Sequence, residues 1–227
     1  MNNKNKGVVV PSVINVTIGG MNYPWPTDWC DPRYVIPVVQ AMWDKHKVSI
    51  VEDLGLKATP TLKFVTDVSE YHGEAPMWVD LKKRDDGVVE GVIHVNPVTL
   101  YAFVNPLNVL TGEDMVEDSL LYIFRHECRH VYQYQIGADE GKTLYEVYQS
   151  LKNFKGEMDA DAYAVRTAAN GANNPFLAKR RTLVAQFHAA TYMESTLDVS
   201  FEERRLARIE EIRRLNELCD MIEASKA

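Results

Sequence analysis

The sequence predicts an α+β fold with strands gathered toward the front of the chain and helices behind. Three observations point there. Residues 1–97 hold mainly strand-like β-branched runs broken by turn residues, residues 98–199 carry helical spacing with capping signals, and residues 200–227 form one amphipathic helix. With 227 residues and 46% hydrophobic content, the chain has material for one domain over 1–227. Such a domain buries roughly 70% of the unfolded chain's surface.

The elements follow in order. VINVTIG is β-branched and runs into Gly19-Gly20, which suits a strand and a turn. WPTDWCDPRYVIP is turn-rich, and either Asp31-Pro32 or Pro37 opens a backing helix reaching about Lys47, with Ile36, Val39 and Trp43 inward. The sheet is expected within residues 48 to 95. It comprises TLKFV, then MWVDL and VVEGVIHV around the hairpin signal Arg84-Asp85-Asp86-Gly87. After Asn96-Pro97 the chain turns helical.

Asp114 and Glu117 stand in capping-box spacing ahead of SLLYIFRHECRHVYQYQI, and Gly137 reads as the residue just past that helix. Three further helices are expected at about 143–152, 157–169 and 176–194, the last two separated by NGANNP. The final helix starts at Ser200 with Glu203 completing a capping box. Its stripe of Leu206, Ile209, Ile212, Leu215, Leu218 and Ile222 packs on its own domain or serves self-association or a partner.

Composition excludes several function classes. A formal charge of −7 argues against broad nucleic-acid binding, which needs Lys and Arg to neutralise phosphates. The one basic cluster, Lys179-Arg180-Arg181, reads as a solvated face. No apolar run approaches the ~20 residues that cross a bilayer, so no membrane partner is expected. MNNKNKGVVVPSV has no small-residue cleavage site and its apolar run is cut by Pro11, which argues against a secretion signal. Cys30, Cys128 and Cys219 are odd in number and far apart, as suits a reducing, cytoplasmic setting.

LYIFRHECRHVYQ begins and ends as a core helix but carries five polar side chains through its middle. Buried charge is costly unless paired or bound to metal. His126, Glu127 and His130 spell HExxH. Residues four apart share a helix face, so both imidazoles can grip one ion while Glu127, about 100° round, reaches toward a metal-activated water. Cys128, Leu121 and Phe124 fall on the opposite, core side, and Ser119, Ile123 and Gln133 share the histidine face.

A catalytic zinc site takes three protein ligands and keeps one position open. GEMDADAYA supplies Glu157 as the third ligand, with Ala160 and Ala164 as small surfaces for close packing. Asp161, one turn on, is placed to accept the free N–H of a ligand histidine and so fix its tautomer. Glu146 is the alternative third ligand, without a following Asp at that spacing. Tyr163 and His188 are candidate oxyanion donors. His46, His72 and His94 read as structural or surface histidines.

HECRH followed by EMDADAYA resembles the gluzincin metallopeptidases, most of all the small single-domain ImmA/IrrE-like members of bacteria, phages and mobile elements. The resemblance covers about residues 88 to 168. It implies a zincin-like fold, whose edge strand, in this reading VEGVIHV, pairs with an extended peptide. It implies Zn²⁺ held by His126, His130 and Glu157, Glu127 as general base, Asp161 behind a ligand, and a protein or peptide substrate. A phage origin would place the chain in the host's cytoplasm. The rival reading is a zinc-bound gluzincin scaffold that no longer cleaves, acting as a structural or regulatory interaction protein. An SprT-like protease is disfavoured by the acidic balance and by Glu157 where three histidines would stand.

Overall fold

The computed structural model describes residues 13–26, 30–67, 75–111, 116–151 and 155–166, without the side chains of 106–111, 155, 158, 161, 162, 165 and 166. Asp114, His72, the expected helix at 176–194 with His188, and the helix at 200–227 lie outside the described residues. Among the described residues the fold is α+β, with two small sheets and five helices. None of these helices is long and apolar enough to cross a membrane.

Strands β1 (Val13–Ile18) and β2 (Met21–Pro26) form an antiparallel hairpin in which Ile18 pairs with Met21. Its two-residue turn puts both Gly19 and Gly20 at positive φ, 59° and 81°, where a side chain would be strained. This sheet lies outside the predicted window of 48 to 95. Pro24 and Pro26 hide β2 in the sequence, yet a two-stranded sheet leaves each strand a free edge on which proline costs no ladder bond. The hairpin is anchored by Trp25, fully buried and stacked on Tyr101 at 5.9 Å.

Helix α1 (Pro32–Leu54) takes the first of the two predicted openings. Asp31 caps it by accepting from the Arg33 amide at 3.0 Å, Pro32 fills the first turn, and Pro37 lies inside the helix. It runs seven residues past the predicted end at Lys47, because Ile50 and Leu54 continue the buried stripe. It stops at left-handed Gly55, whose amide and that of Leu56 bond back to Glu52 and Val51. Val39 and Trp43 face inward as expected. Ile36 does not: it is half-buried, and Val35 and Val38 take the core.

Strands β3 (Thr61–Phe64), β4 (Met77–Lys83) and β5 (Val89–Val95) form the second sheet in the order β3-β5-β4. The hairpin turn falls at Asp85–Gly87 as predicted, with Gly87 at φ 83°. One expectation is corrected: VEGVIHV is the central strand, parallel to β3 and antiparallel to β4, so its edges are used and it cannot take a peptide strand. Among the described residues the edges belong to β3 and β4.

Asn96 caps helix α2 (Pro97–Thr111), its Oδ1 accepting from the amides of Val98 and Thr99 at 3.1 Å. Helix α3 (Val116–Asp139) then crosses the middle of the fold, touching α1, α2 and the β4–β5 hairpin. Trp43 of α1 meets Phe124 of α3 at 5.2 Å, in a cluster of buried apolar residues that reaches from Val16 to Ala164. Gly137 is inside α3, not past it. A Cβ there would lie 2.1 Å from Val147, so the glycine admits helix α4 (Leu144–Ser150), and the left-handed position falls to Gly141 at φ 79°. Helix α5 (Lys155–Arg166) packs on α3 through Ala160 and Ala164, both fully buried.

Candidate metal centre

The HExxH segment occupies the middle of α3, where its apolar side, with Phe124 and Cys128, is fully buried. His126 and His130, one turn apart, meet edge to face with Nε2 atoms 3.1 Å from each other. Glu157, in the first turn of α5, straddles them. Its Oε2 lies 3.3 Å from His126 Nε2 and its Oε1 3.3 Å from His130 Nε2. The structure therefore brings together three of the predicted residues, with all their ligand atoms within 4.8 Å.

The donor set is one that could hold a cation. Two imidazole nitrogens so close cannot both aim lone pairs at each other without a proton or a metal between them, and an ionised carboxylate only accepts. Two nitrogens and one carboxylate oxygen are a combination that zinc takes. Hydrogen bonds from His126 and His130 outweigh burial and hold the Glu157 carboxyl well below the usual carboxylate range. Burial works against a charged His130, but the bond to Glu157 and the fields of Glu157 and Glu127 prevail over it and over His126, and the pKa is raised. Glu127 itself is buried on α3, 7% exposed.

Behind the cluster, Gln133 Oε1 lies 3.0 Å from His130 Nδ1, and Gln133 Nε2 donates to Gly156 O at 2.8 Å and Asp159 Oδ2 at 2.9 Å. Arg129 grips the same Asp159 carboxylate with Nε at 2.7 Å and a terminal nitrogen at 3.1 Å. The contact expected of Asp161 is thus made to His130 by Gln133, and the Asp161 side chain is outside the described residues. The sequence signal was present, since Gln133 stands three residues after His130 on the histidine face. Its amide partners, across on α5, left no local trace.

Compared with known proteins, the chain matches no family model, no curated protein and no solved structure.

The remaining candidates are accounted for individually. Glu146 is spent on its own helix, accepting from the Thr143 amide at 2.7 Å and hydroxyl at 2.9 Å in a capping box, and is not part of the cluster. Tyr163 donates its hydroxyl to Asp53 of α1 at 2.7 Å; burial first, and that bond second, push its pKa up. It is a brace between α5 and α1. Burial pushes the Cys128 thiol far up, as befits a core residue. His46 lies 3.3 Å from Glu117, and His94 stacks on Trp78 at 5.1 Å and meets Asp80 at 2.8 Å.

Proposed function

We propose that this chain is a zinc-dependent metallopeptidase of the gluzincin kind, with a zincin-like fold and a protein or peptide substrate. The observation that carries the reading is the convergence of His126, His130 and Glu157 from two helices, with Glu127 buried between the histidines in sequence. One zinc ion held by these three would supply Lewis acidity, acidifying water and polarising a peptide carbonyl. Glu127 accepts the proton of the attacking water and returns it to the leaving amine. His126 and His130 act through Nε2 only, and Glu157, kept ionised, contributes the third ligand and one negative charge. Cys30 and Cys128 are free thiols, in keeping with a reducing cytoplasm.

A non-catalytic zinc scaffold has no use for a carboxylate at Glu127, and structural zinc takes four protein ligands. The test pairs metal analysis with cleavage of a broad peptide library by the parent and Glu127→Gln. The expected result is one zinc per chain in both proteins and a rate lower by about 10²- to 10⁴-fold in the variant. Zinc content near zero after supplementation would remove the metal reading. Equal cleavage by parent and zinc-loaded variant would remove Glu127 as base.

A further inference from the structure

We infer that Gln133 is a positioning residue whose single carboxamide sets the tautomer of His130 and holds the first turn of α5, so that Glu157 faces both histidines. The inference rests on reading those three residues as a metal site. Its ground is the direction of the amide. Gly156 O and Asp159 Oδ2, the partners at 2.8 and 2.9 Å, can only accept, so the group facing them is the NH₂. The atom 3.0 Å from His130 Nδ1 is then the carbonyl oxygen, which can only accept as well. Nδ1 must carry the hydrogen.

A neutral imidazole protonated on Nδ1 keeps its lone pair on Nε2, the nitrogen 3.3 Å from Glu157 Oε1. The same amide therefore aims the lone pair of one ligand and fixes the helix that carries another. Its two donor bonds flank Glu157 in sequence, at Gly156 before it and Asp159 after it. Asp159 is prevented from turning away by its bidentate pair with Arg129, whose guanidinium lies 4.3 Å over the Tyr132 ring.

Two substitutions separate the two jobs. Gln133→Leu removes acceptor and donors together, whereas Gln133→Glu keeps an acceptor for Nδ1 but offers nothing to Gly156 O and Asp159. The ring-nitrogen NMR shifts of His130 are read in zinc-free protein with the imidazole neutral, and zinc affinity is read by competition with a chelator. The parent is expected to show hydrogen on Nδ1, and Gln133→Leu to move it toward Nε2 with zinc affinity lower by about 10- to 100-fold. Gln133→Glu is expected to keep the Nδ1 hydrogen yet also lose affinity, because α5 is no longer held. Hydrogen on Nε2 in the parent would overturn the inference even if the leucine variant fails to fold. So would unchanged tautomer and affinity in both variants. A parent with the predicted tautomer but no zinc uptake would instead overturn the metal reading and leave the tautomer assignment standing.

Discussion

Gly91 in the middle of β5 faces Val131 of α3 so closely that a Cβ built on the glycine would lie 2.7 Å from Val131 Cγ2 and 3.3 Å from Val79 Cγ2. Val131 follows His130 of the candidate metal site, so the depth at which α3 rests on the sheet also sets the height of that site. Gly91→Ala should destabilise the fold by about 1–3 kcal/mol through overpacking. Adding Val131→Ala should recover part of that loss, because the clash has one dominant partner. Urea unfolding of the single and double variants measures both, and additive losses would show that the two residues are not in this contact.

Gln135 performs a similar joining role with polar atoms. It is 4% exposed, and its Oε1 accepts from the Val89 amide at 2.9 Å, while its Nε2 donates to Asp139 at 2.9 Å and Gly87 O at 3.3 Å. Gln135→Leu keeps the volume but strands the buried Val89 N–H. A loss of about 1–3 kcal/mol is expected, the cost of an unmade buried hydrogen bond. An unfolding midpoint equal to the parent's would mean that water reaches Val89.

Acid should weaken the contact between α1 and α3. Glu117 Oε1 receives Lys45 at 2.5 Å and lies 3.3 Å from His46 Nε2. Burial, aided by Lys45 and Arg125 and opposed by Glu117, depresses the His46 pKa from 6.5. For Glu117, burial is outweighed by Lys45 and His46, and its pKa is lowered from 4.5. Both folded-state values lie below the unfolded ones, so the unfolded chain binds more protons and stability falls as the pH is lowered. The loss begins near the ordinary histidine value and deepens below the ordinary carboxylate value. His46→Gln should flatten the upper part of that decline in a series of melting temperatures, and an unchanged slope would assign the acid sensitivity elsewhere.

The legible parts of the fold are those written in local spacing. A four-residue interval places His126 and His130 on one face whatever surrounds the helix, and Asp-Gly at 86–87 makes its turn from backbone preference alone. Features decided by a distant partner were harder to read. Gly137 looks like a helix stop until Val147 is seen packed against it, and the helix expected to end at about Lys47 continues because Ile50 and Leu54 reach the core. Periodicity tells which face of VEGVIHV is buried but not that β3 and β4 flank it. Gln133 sits on the predicted face, yet its function depends on Gly156 and Asp159, twenty-odd residues away.

The choice between Glu157 and Glu146 as third ligand yields the last prediction, because the two carboxylates do different work. Glu146 closes the capping box of α4, where it accepts from the Thr143 amide at 2.7 Å, and it is exposed. Glu146→Ala should fray α4 and lower the melting temperature, through the loss of a cap of the kind that is typically worth ~1 kcal/mol. Zinc content and peptide cleavage should stay at the parent's level. Among the described residues, Glu157→Ala removes the one carboxylate that lies 3.3 Å from both Nε2 atoms, so zinc should be lost first and activity as a consequence. Without metal, its removal should lower stability modestly, since the hydrogen bonds that it accepts from His126 and His130 are lost with it. The measurement is zinc affinity and melting temperature of both variants, with and without zinc. Loss of zinc in Glu146→Ala with retention in Glu157→Ala would reverse the assignment and require α4 to move toward α3 when the metal binds.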